Sequence, residues 1–469
     1  MAFILFITSS ALAQPVPNIS GASTDVIVVG KTTEITLIGD NIGDGKQIVV
    51  VGEPGVKVDF PKPTTQPATT QPTTRPVEAI KINPKELKVI ATVTGDASRG
   101  AREIRVVTPN GITKPFLLYV EDFAAVAEKE PNNSIAEAQM VKLPAIIVGS
   151  IHQPTESDYF KFEARKGQRL IFEVIAARNG SKLDSTLSLF SAQGREVAHD
   201  EDTNGLDSLI DYTVPADGQY VLQIHDLRYQ GGADFAYRIK AGEIPYVDVI
   251  YPLGGKRGQQ VSLELMGRNL DKPKMSMMLD GPMGKRDVMA ATSKGVSNAR
   301  SFDVGDLTET FETEPNDGVA KATPTTMPIV INGKINQAGD VDSFKVRVPA
   351  TQPVVCEVFA QRYGSPLDAL LSISDEKGNI LQRNDDAMGA DARIEMKLEK
   401  DKDYIISVTD LLGRGGSNYP YRLQITPVVA EQPDFEVVFL PEMPRVARGG
   451  HMKLWCQVKR KGGFDGDVV

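Results

Sequence analysis

The segment EKEPNNSIAEAQ, residues 128–139, returns as ETEPNDGVAKAT, residues 312–323. The two are 184 positions apart (314 less 130), and the displacement holds well beyond them. It links Gly149 with Gly333, Asp158 with Asp342, Phe160 with Phe344, Asp226 with Asp410, and Tyr237-Arg238 with Tyr421-Arg422. A constant displacement leaves no room for a net insertion, so both copies are expected to fold alike. Each copy reads as β. DYFKFEA (158–164) sets Phe160, Phe162 and Ala164 on one side, and GQYVLQIHD (218–226) does the same with Tyr220, Leu222 and Ile224. Turn residues punctuate at short intervals, as in SAQGRE, EDTNGLD, SDEKGN and NDDAMGAD. Many short strands with frequent turns predict an antiparallel sandwich. The one helical signal is SIAEAQ, where Ser134 and Glu137 fit a capping box and predict one or two turns.

A looser repeat lies in front of each copy. PNISGASTDVIVVGKTTEITLIGDNI aligns with PYVDVIYPLGGKRGQQVSLELMGRNL, 228 positions on (245 less 17). Gly39 meets Gly267 and Asn41 meets Asn269. The pattern predicts a strand, a glycine turn, an alternating strand and a second turn. The first copy also carries PKPTTQPATTQPTTRP, residues 61–76, a composition that cannot bury a core and predicts an extended, exposed loop. After Glu431 a new β pattern begins and stops inside a strand-like run, as a fragment of a longer protein would.

At 469 residues the chain is too long for one core. With 61 acidic against 52 basic residues it has no basic footprint for nucleic acid. MAFILFITSSALAQ opens on an apolar run ending in Ala11-Leu12-Ala13, which predicts a signal peptide over 1–13 and an exported protein. No basic residue precedes the run, and a buried first strand is the other reading. No other segment approaches the roughly 20 apolar residues of a membrane helix. Cys356 and Cys456 fall in different expected domains, so no disulfide is expected between them.

The 184-displaced copies resemble the bacterial pre-peptidase C-terminal (PPC) domain, a jelly-roll-like β-sandwich appended to many exported proteins. The resemblance rests on E-x-E-P-N, on D-x-F about 28 residues later, on G-S-x-L-D, and on D-G-x-Y, which the second copy replaces with Asp403-Tyr404. The units in front of them resemble IPT/TIG immunoglobulin-like domains. Together these imply an all-β, multidomain string of antiparallel β-sandwiches. The expected units are Ig-like over 15–122, PPC-like over 124–243, Ig-like over 244–307, PPC-like over 308–428, and the start of a further β domain over 429–469.

In that family the acidic opening segment binds calcium in some members. Carried over, the implied ligands are Glu128, Glu130, Asn132 and Asp158 in the first copy, and Glu312, Glu314, Asn316 and Asp342 in the second. Asn133 and Asp317, and Glu156 and Asp340, are further positions. The chemistry agrees: calcium takes six to eight oxygens from carboxylates and carbonyls, and Glu-x-Glu in a strand points two carboxylates the same way. The second copy offers five acids and the first four, so the second is expected to bind more tightly. The other reading is a turn and cap sequence with solvated acids.

Catalytic patterns are absent: there is no G-x-S-x-G, no H-E-x-x-H and no Gly-rich phosphate loop. His225-Asp226 is the most tempting pair, but Asp410 keeps the position beside Thr409, so a strand-ending Asp that bonds backbone is expected. Tyr229 and Tyr363 are lone aromatics, with Gly413 and Asn179 as counterparts. The expectation is a non-enzyme, secreted, periplasmic or on the cell surface. Its calcium-stabilised modules would act as spacers or as binding units for an extracellular or envelope protein or polysaccharide. The alternative is the accessory region of a secreted peptidase.

Overall fold

The computed structural model describes residues 16–61, 83, 85–428, 434–440 and 452–468. The expected signal peptide and most of the Pro/Thr-rich loop lie outside them. The fold is all-β. Among the described residues the helices amount to two 3-10 turns and the four-residue Gly318–Lys321. No helix among the described residues is long and apolar enough to cross a membrane. The chain divides into two compact units that meet in sequence at Gly242 and Glu243, with Gln168–Ile171 grouping with the second and the C-terminal strands Asp434–Leu440 and Trp455–Lys461 with the first.

In the first unit, one sandwich sets the four strands Asn18–Ala22, Thr32–Asp40, Glu86–Val93 and Val56–Asp59 against Val26–Val28, Phe116–Glu121, Gly100–Thr108 and Gln47–Val51. Ile35, Leu37, Val89, Ile104, Val106 and Leu118 fill the space between. The strand of Gly39 explains the glycine there. Asn18–Ala22 bulges between Ile19 and Gly21 as it pairs with Thr32–Asp40, and a Cβ on Gly39 would strike the Asn18 carbonyl. In the second unit Tyr246–Tyr251 bulges between Val247 and Val249, and a Cβ on Gly267 would strike the Tyr246 carbonyl. Only glycine admits so close a backbone approach.

The second sandwich of the first unit has two five-stranded sheets. One orders Ala125–Ala127, Ala145–Ser150, Ala236–Gly242, Arg169–Ile175 and Leu209–Thr213. The other orders Gln139–Met140, Ser157–Ala164, Gly218–Asp226, Ser185–Phe190 and Glu196–Asp200. Phe160 faces Leu222 and Phe162 faces Tyr220 across the antiparallel pair, all buried, as alternation requires.

The second unit repeats this order. Glu309–Phe311, Ile329–Lys334, Pro420–Pro427, Gln352–Phe359 and Arg393–Leu398 form one sheet. Thr323–Thr325, Asp342–Arg347, Asp403–Asp410, Ala369–Asp375 and Ile380–Asn384 form the other. Phe344 there faces Ile406, and Val346 faces Tyr404. SIAEAQ forms a bare turn rather than a helix: Ser134 accepts from the Glu137 amide, but no helical ladder follows. Asp434–Leu440 and Trp455–Lys461 pair as a hairpin. Cys356 is buried, Cys456 is exposed, and both are free.

Candidate metal centre

In each of these sandwiches the acidic segment crosses from one sheet to the other. In the first copy it leaves Ala125–Ala127, which runs parallel to Ala145–Ser150, and arrives at Gln139–Met140, parallel to Ser157–Ala164. Glu128 therefore departs from one sheet while Asp158 stands on the other, and Tyr237 joins them. The Tyr237 hydroxyl donates to Asp158 Oδ2 at 2.7 Å and lies 3.4 Å from Glu128 Oε1. Glu128 Oε2 accepts from the Ser150 amide at 2.9 Å. Glu130 Oε2 accepts from the Asn132 amide at 3.0 Å, and the Asn132 carbonyl accepts from Tyr159 at 2.9 Å. Gly149 makes the room, because a Cβ there would run into Tyr237 and Glu128.

The second copy is built the same way. Tyr421 donates to Asp342 Oδ2 at 2.7 Å and lies 3.1 Å from Glu312 Oε2. Glu312 Oε1 accepts from Lys334 N at 2.7 Å, and Glu314 Oε2 from Asn316 N at 2.9 Å. Gly333 stands under Glu312 and Tyr421.

Three carboxylates close on one point in each copy. Glu130, Glu156 and Asp158 offer oxygens within 4.8 Å of one another, and so do Glu314, Asp340 and Asp342. Glu128, Glu130 and His152 form a further such group in the first copy. Asn132, Asp158, Asn316 and Asp342 are fully buried. Burial, reinforced by Glu128, pushes the Asp158 carboxyl up to about 9. Burial, reinforced by Glu312, pushes Asp342 up to about 10. Burial also raises Glu130, Glu312 and Asp340. Desolvated like charges cannot all ionise unless a positive charge joins them.

The residues present fit a calcium ion. All the grouped donors apart from His152 are oxygens, which a hard cation prefers. Asp158 Oδ1 and, beside the group, Asn132 Oδ1 are buried with no hydrogen-bond partner, a costly condition that a cation relieves. In the second copy the Asn316 side-chain oxygen faces acceptors alone: Asp342 Oδ1 at 3.1 Å and Glu314 Oε2 at 3.2 Å. Turning the amide over makes two hydrogen bonds, to those same two oxygens.

Not every expected ligand joins. Asn133 is exposed and spends its amide on Glu130 Oε2 at 3.2 Å. Asp317 turns to Lys321 at 3.4 Å, one helical turn away. Sequence reasoning gave no role to Tyr237, Tyr421, His152 or Asn336. The last donates to Glu314 Oε1 at 3.3 Å, whereas His152 Nδ1 sits 3.7 Å from Glu130 Oε1. The signal for the tyrosines was there, since both lie at the constant displacement from one another. Asp226 bonds backbone, accepting from Asp184, Arg228 and Gln230 amides at 3.0–3.1 Å. His225 instead stacks on exposed Tyr229, ring centroids 4.8 Å apart.

Residues 156–226 match the family described as the bacterial pre-peptidase C-terminal domain. Over 109 residues, 22% of its length, the chain is 36% identical to a probable subtilase-type serine protease of Deinococcus radiodurans. Among solved structures, it resembles the pre-peptidase C-terminal domain of a Bacillus anthracis collagenase at 18% identity and a TM-score of 0.19, covering 24% of this chain and 99% of that one. It also resembles PliG of Aeromonas hydrophila, a periplasmic inhibitor of g-type lysozyme, at 17% identity and a TM-score of 0.18, covering 23% and 99%. The matched segment spans 15% of the Deinococcus protease's length.

Proposed function

We propose that this chain is a non-catalytic, exported arm in which two PPC-type sandwiches, each behind an IPT/TIG-like Ig unit, are stabilised by calcium and serve as spacer and binding modules. The proposed units are those expected above, 15–122, 124–243, 244–307, 308–428 and 429–469. Glu128, Glu130, Asn132, Glu156 and Asp158 would hold the ion in the first sandwich. Glu312, Glu314, Asn316, Asp340 and Asp342 would hold it in the second. Bound there, calcium supplies the positive charge that lets the buried acids ionise together, and so ties the incoming segment to both sheets.

The observation that carries this reading is the pair of buried, unpartnered oxygens, Asn132 Oδ1 and Asp158 Oδ1, on residues that meet the carboxylates of Glu128, Glu130 and Glu156. Calcium added to chelator-treated full chain should raise its melting temperature. Magnesium should do so less, because it demands tighter octahedral geometry. A melting curve indifferent to calcium would sink the proposal.

A second reading, the accessory region of a secreted peptidase, is favoured by the likeness to the Deinococcus protease. The complete reading frame decides it: a protease catalytic domain in the same polypeptide supports it, and a frame without one removes it.

A further inference from the structure

The two Ig–PPC junctions, one inside each unit, use the same turn with different plugs. In the first unit the 3-10 turn Ala177–Asn179 starts after Ala176 (φ −137°, ψ −79°) and ends on Gly180. In the second, Gln361–Tyr363 starts after Ala360 (φ −139°, ψ −79°) and ends on Gly364. One aspartate pins each turn: Asp207 Oδ1 accepts from Ala176 and Ala177 at 3.1 and 2.7 Å, and Asp391 Oδ1 from Ala360 and Gln361 at 3.1 and 2.8 Å. Asn179 and Tyr363 therefore leave equivalent backbones in the same direction.

What they meet differs. Tyr363 is buried in the Ig-like core of its unit beside Phe302 and Leu253. Its hydroxyl donates to Asp303 Oδ1 at 3.2 Å. In the first unit the shorter Asn179 is exposed and lines an open cleft of about 290 Å³ in the corresponding place. Val148, Ile175 and Tyr119 give it apolar walls, and Asp25, Asn179 and Arg238 give it polar ones. Arg238 is already held, paired with Asp25 and lying 3.6 Å above the Tyr119 ring. The cleft is thus a preformed slot with fixed polar groups, near the lower end of the size range of ligand sites, roughly 300 Å³.

We propose that this slot docks an aromatic side chain, tyrosine foremost, presented by a protein segment outside this chain. The second unit shows the chemistry of the occupant: a phenol ring against apolar walls, with its hydroxyl on a carboxylate. Asp25 offers that carboxylate here, and aromatic anchors in desolvated pockets are what hold protein partners most firmly.

The test uses the full chain and N-acetyl-tyrosinamide as probe, read by saturation-transfer NMR, with N-acetyl-alaninamide and glucose as comparisons. The tyrosine probe should give a signal that neither comparison gives. Asn179→Tyr, which installs the second unit's plug, should reduce it to the alanine level while the chain still melts cooperatively. Ala236→Phe, at an exposed position on the slot's rim, supplies the same test should the first variant fold poorly. A tyrosine signal absent from the unaltered chain, or one that survives both substitutions, overturns the proposal. So does a glucose signal lost on plugging, which would mark a sugar site instead.

Discussion

The Tyr237 hydroxyl donates to Asp158 across the gap between two sheets at 2.7 Å, and Tyr421 makes the same bond to Asp342. Both carboxylates are fully buried, and burial, reinforced by Glu128 and Glu312, lifts Asp158 to about 9 and Asp342 to about 10 although the tyrosine bond itself lowers them. The sign follows. A carboxyl whose folded value lies above its unfolded value of 3.8 favours the folded state fully below that value. The advantage is lost as pH rises toward 9 or 10. The calcium-free chain should therefore lose stability across pH 5 to 9, and the calcium-bound chain, with both groups ionised, should not. We expect the calcium-induced rise in melting temperature to grow with pH over this range, and calorimetry near pH 7 to show about one proton released per site filled. A rise that stays constant with pH would contradict this.

Asp158→Asn and Asp342→Asn keep the shape and the acceptor for the tyrosine while removing the charge. Because the replaced groups are protonated in the calcium-free fold at neutral pH, melting in chelator should hold steady or increase slightly. The calcium response of the altered copy should disappear. A substitution that lowers stability in chelator as much as in calcium would point to a purely structural role.

The same variants rank the two sites. Asp158→Asn leaves the second site intact, and Asp342→Asn leaves the first. Calorimetric titration should show the tighter calcium binding in Asp158→Asn. The second cluster sets Asp340 where the first has Glu156, and a neutral Asn336 donates to Glu314 where His152 stands beside Glu130. With Asp317 given to Lys321 the two sites offer four acids each, so this ranking rests on Asp340 and Asn336, and equal affinities or the reverse order would remove it.

Much of this was legible in the chain itself. Phe160, Phe162 and Tyr220 announce buried strand faces by period alone, and Glu130 and Asp158 stand out because the same residues recur at one displacement. What period and recurrence cannot reveal is which residues meet across sheets. Gly149 and Tyr237 lie far apart in sequence and touch only because their strands pair. Asp317 reads as a ligand beside its neighbours, yet its carboxylate pairs with Lys321, which the helix Gly318–Lys321 brings within reach. Tyr363 reads as a lone aromatic of a loop or a core, and only the packing of its unit decides between them by showing it buried.

Gly333→Ala tests how tightly the second cluster is built. Its Cβ would meet both Tyr421 and Glu312, neither of which can retreat without breaking a bond to Asp342 or to the Lys334 amide. Overpacking of this kind costs about 1–3 kcal/mol. Urea unfolding should show that loss, together with a weakened calcium response of the second copy. An alanine variant as stable as the parent would mean that the site has slack.

Arg422, on Pro420–Pro427, and its counterpart Arg238, on Ala236–Gly242, each reach out of the two-sheet sandwich of their unit to a carboxylate in the segment before it, Asp303 and Asp25, but in unequal surroundings. Arg422 is almost fully buried and bonds Glu309 through both terminal nitrogens at 3.1 Å, and Asp303 at 3.3 Å. Arg238 is more open, with Asp25 as its carboxylate partner and Tyr119 beneath it. Removing one partner of a buried pair strands the other charges, at about 3–5 kcal/mol, and the loss is smaller where water still reaches part of the pair, as at Arg238 and Asp25. Arg422→Met should therefore destabilise the second unit severely, and Arg238→Met the first only mildly. Denaturant unfolding of the full chain, with each unit followed by hydrogen exchange, separates the two. Equal losses would show that burial of Arg422 does not set the strength of its junction.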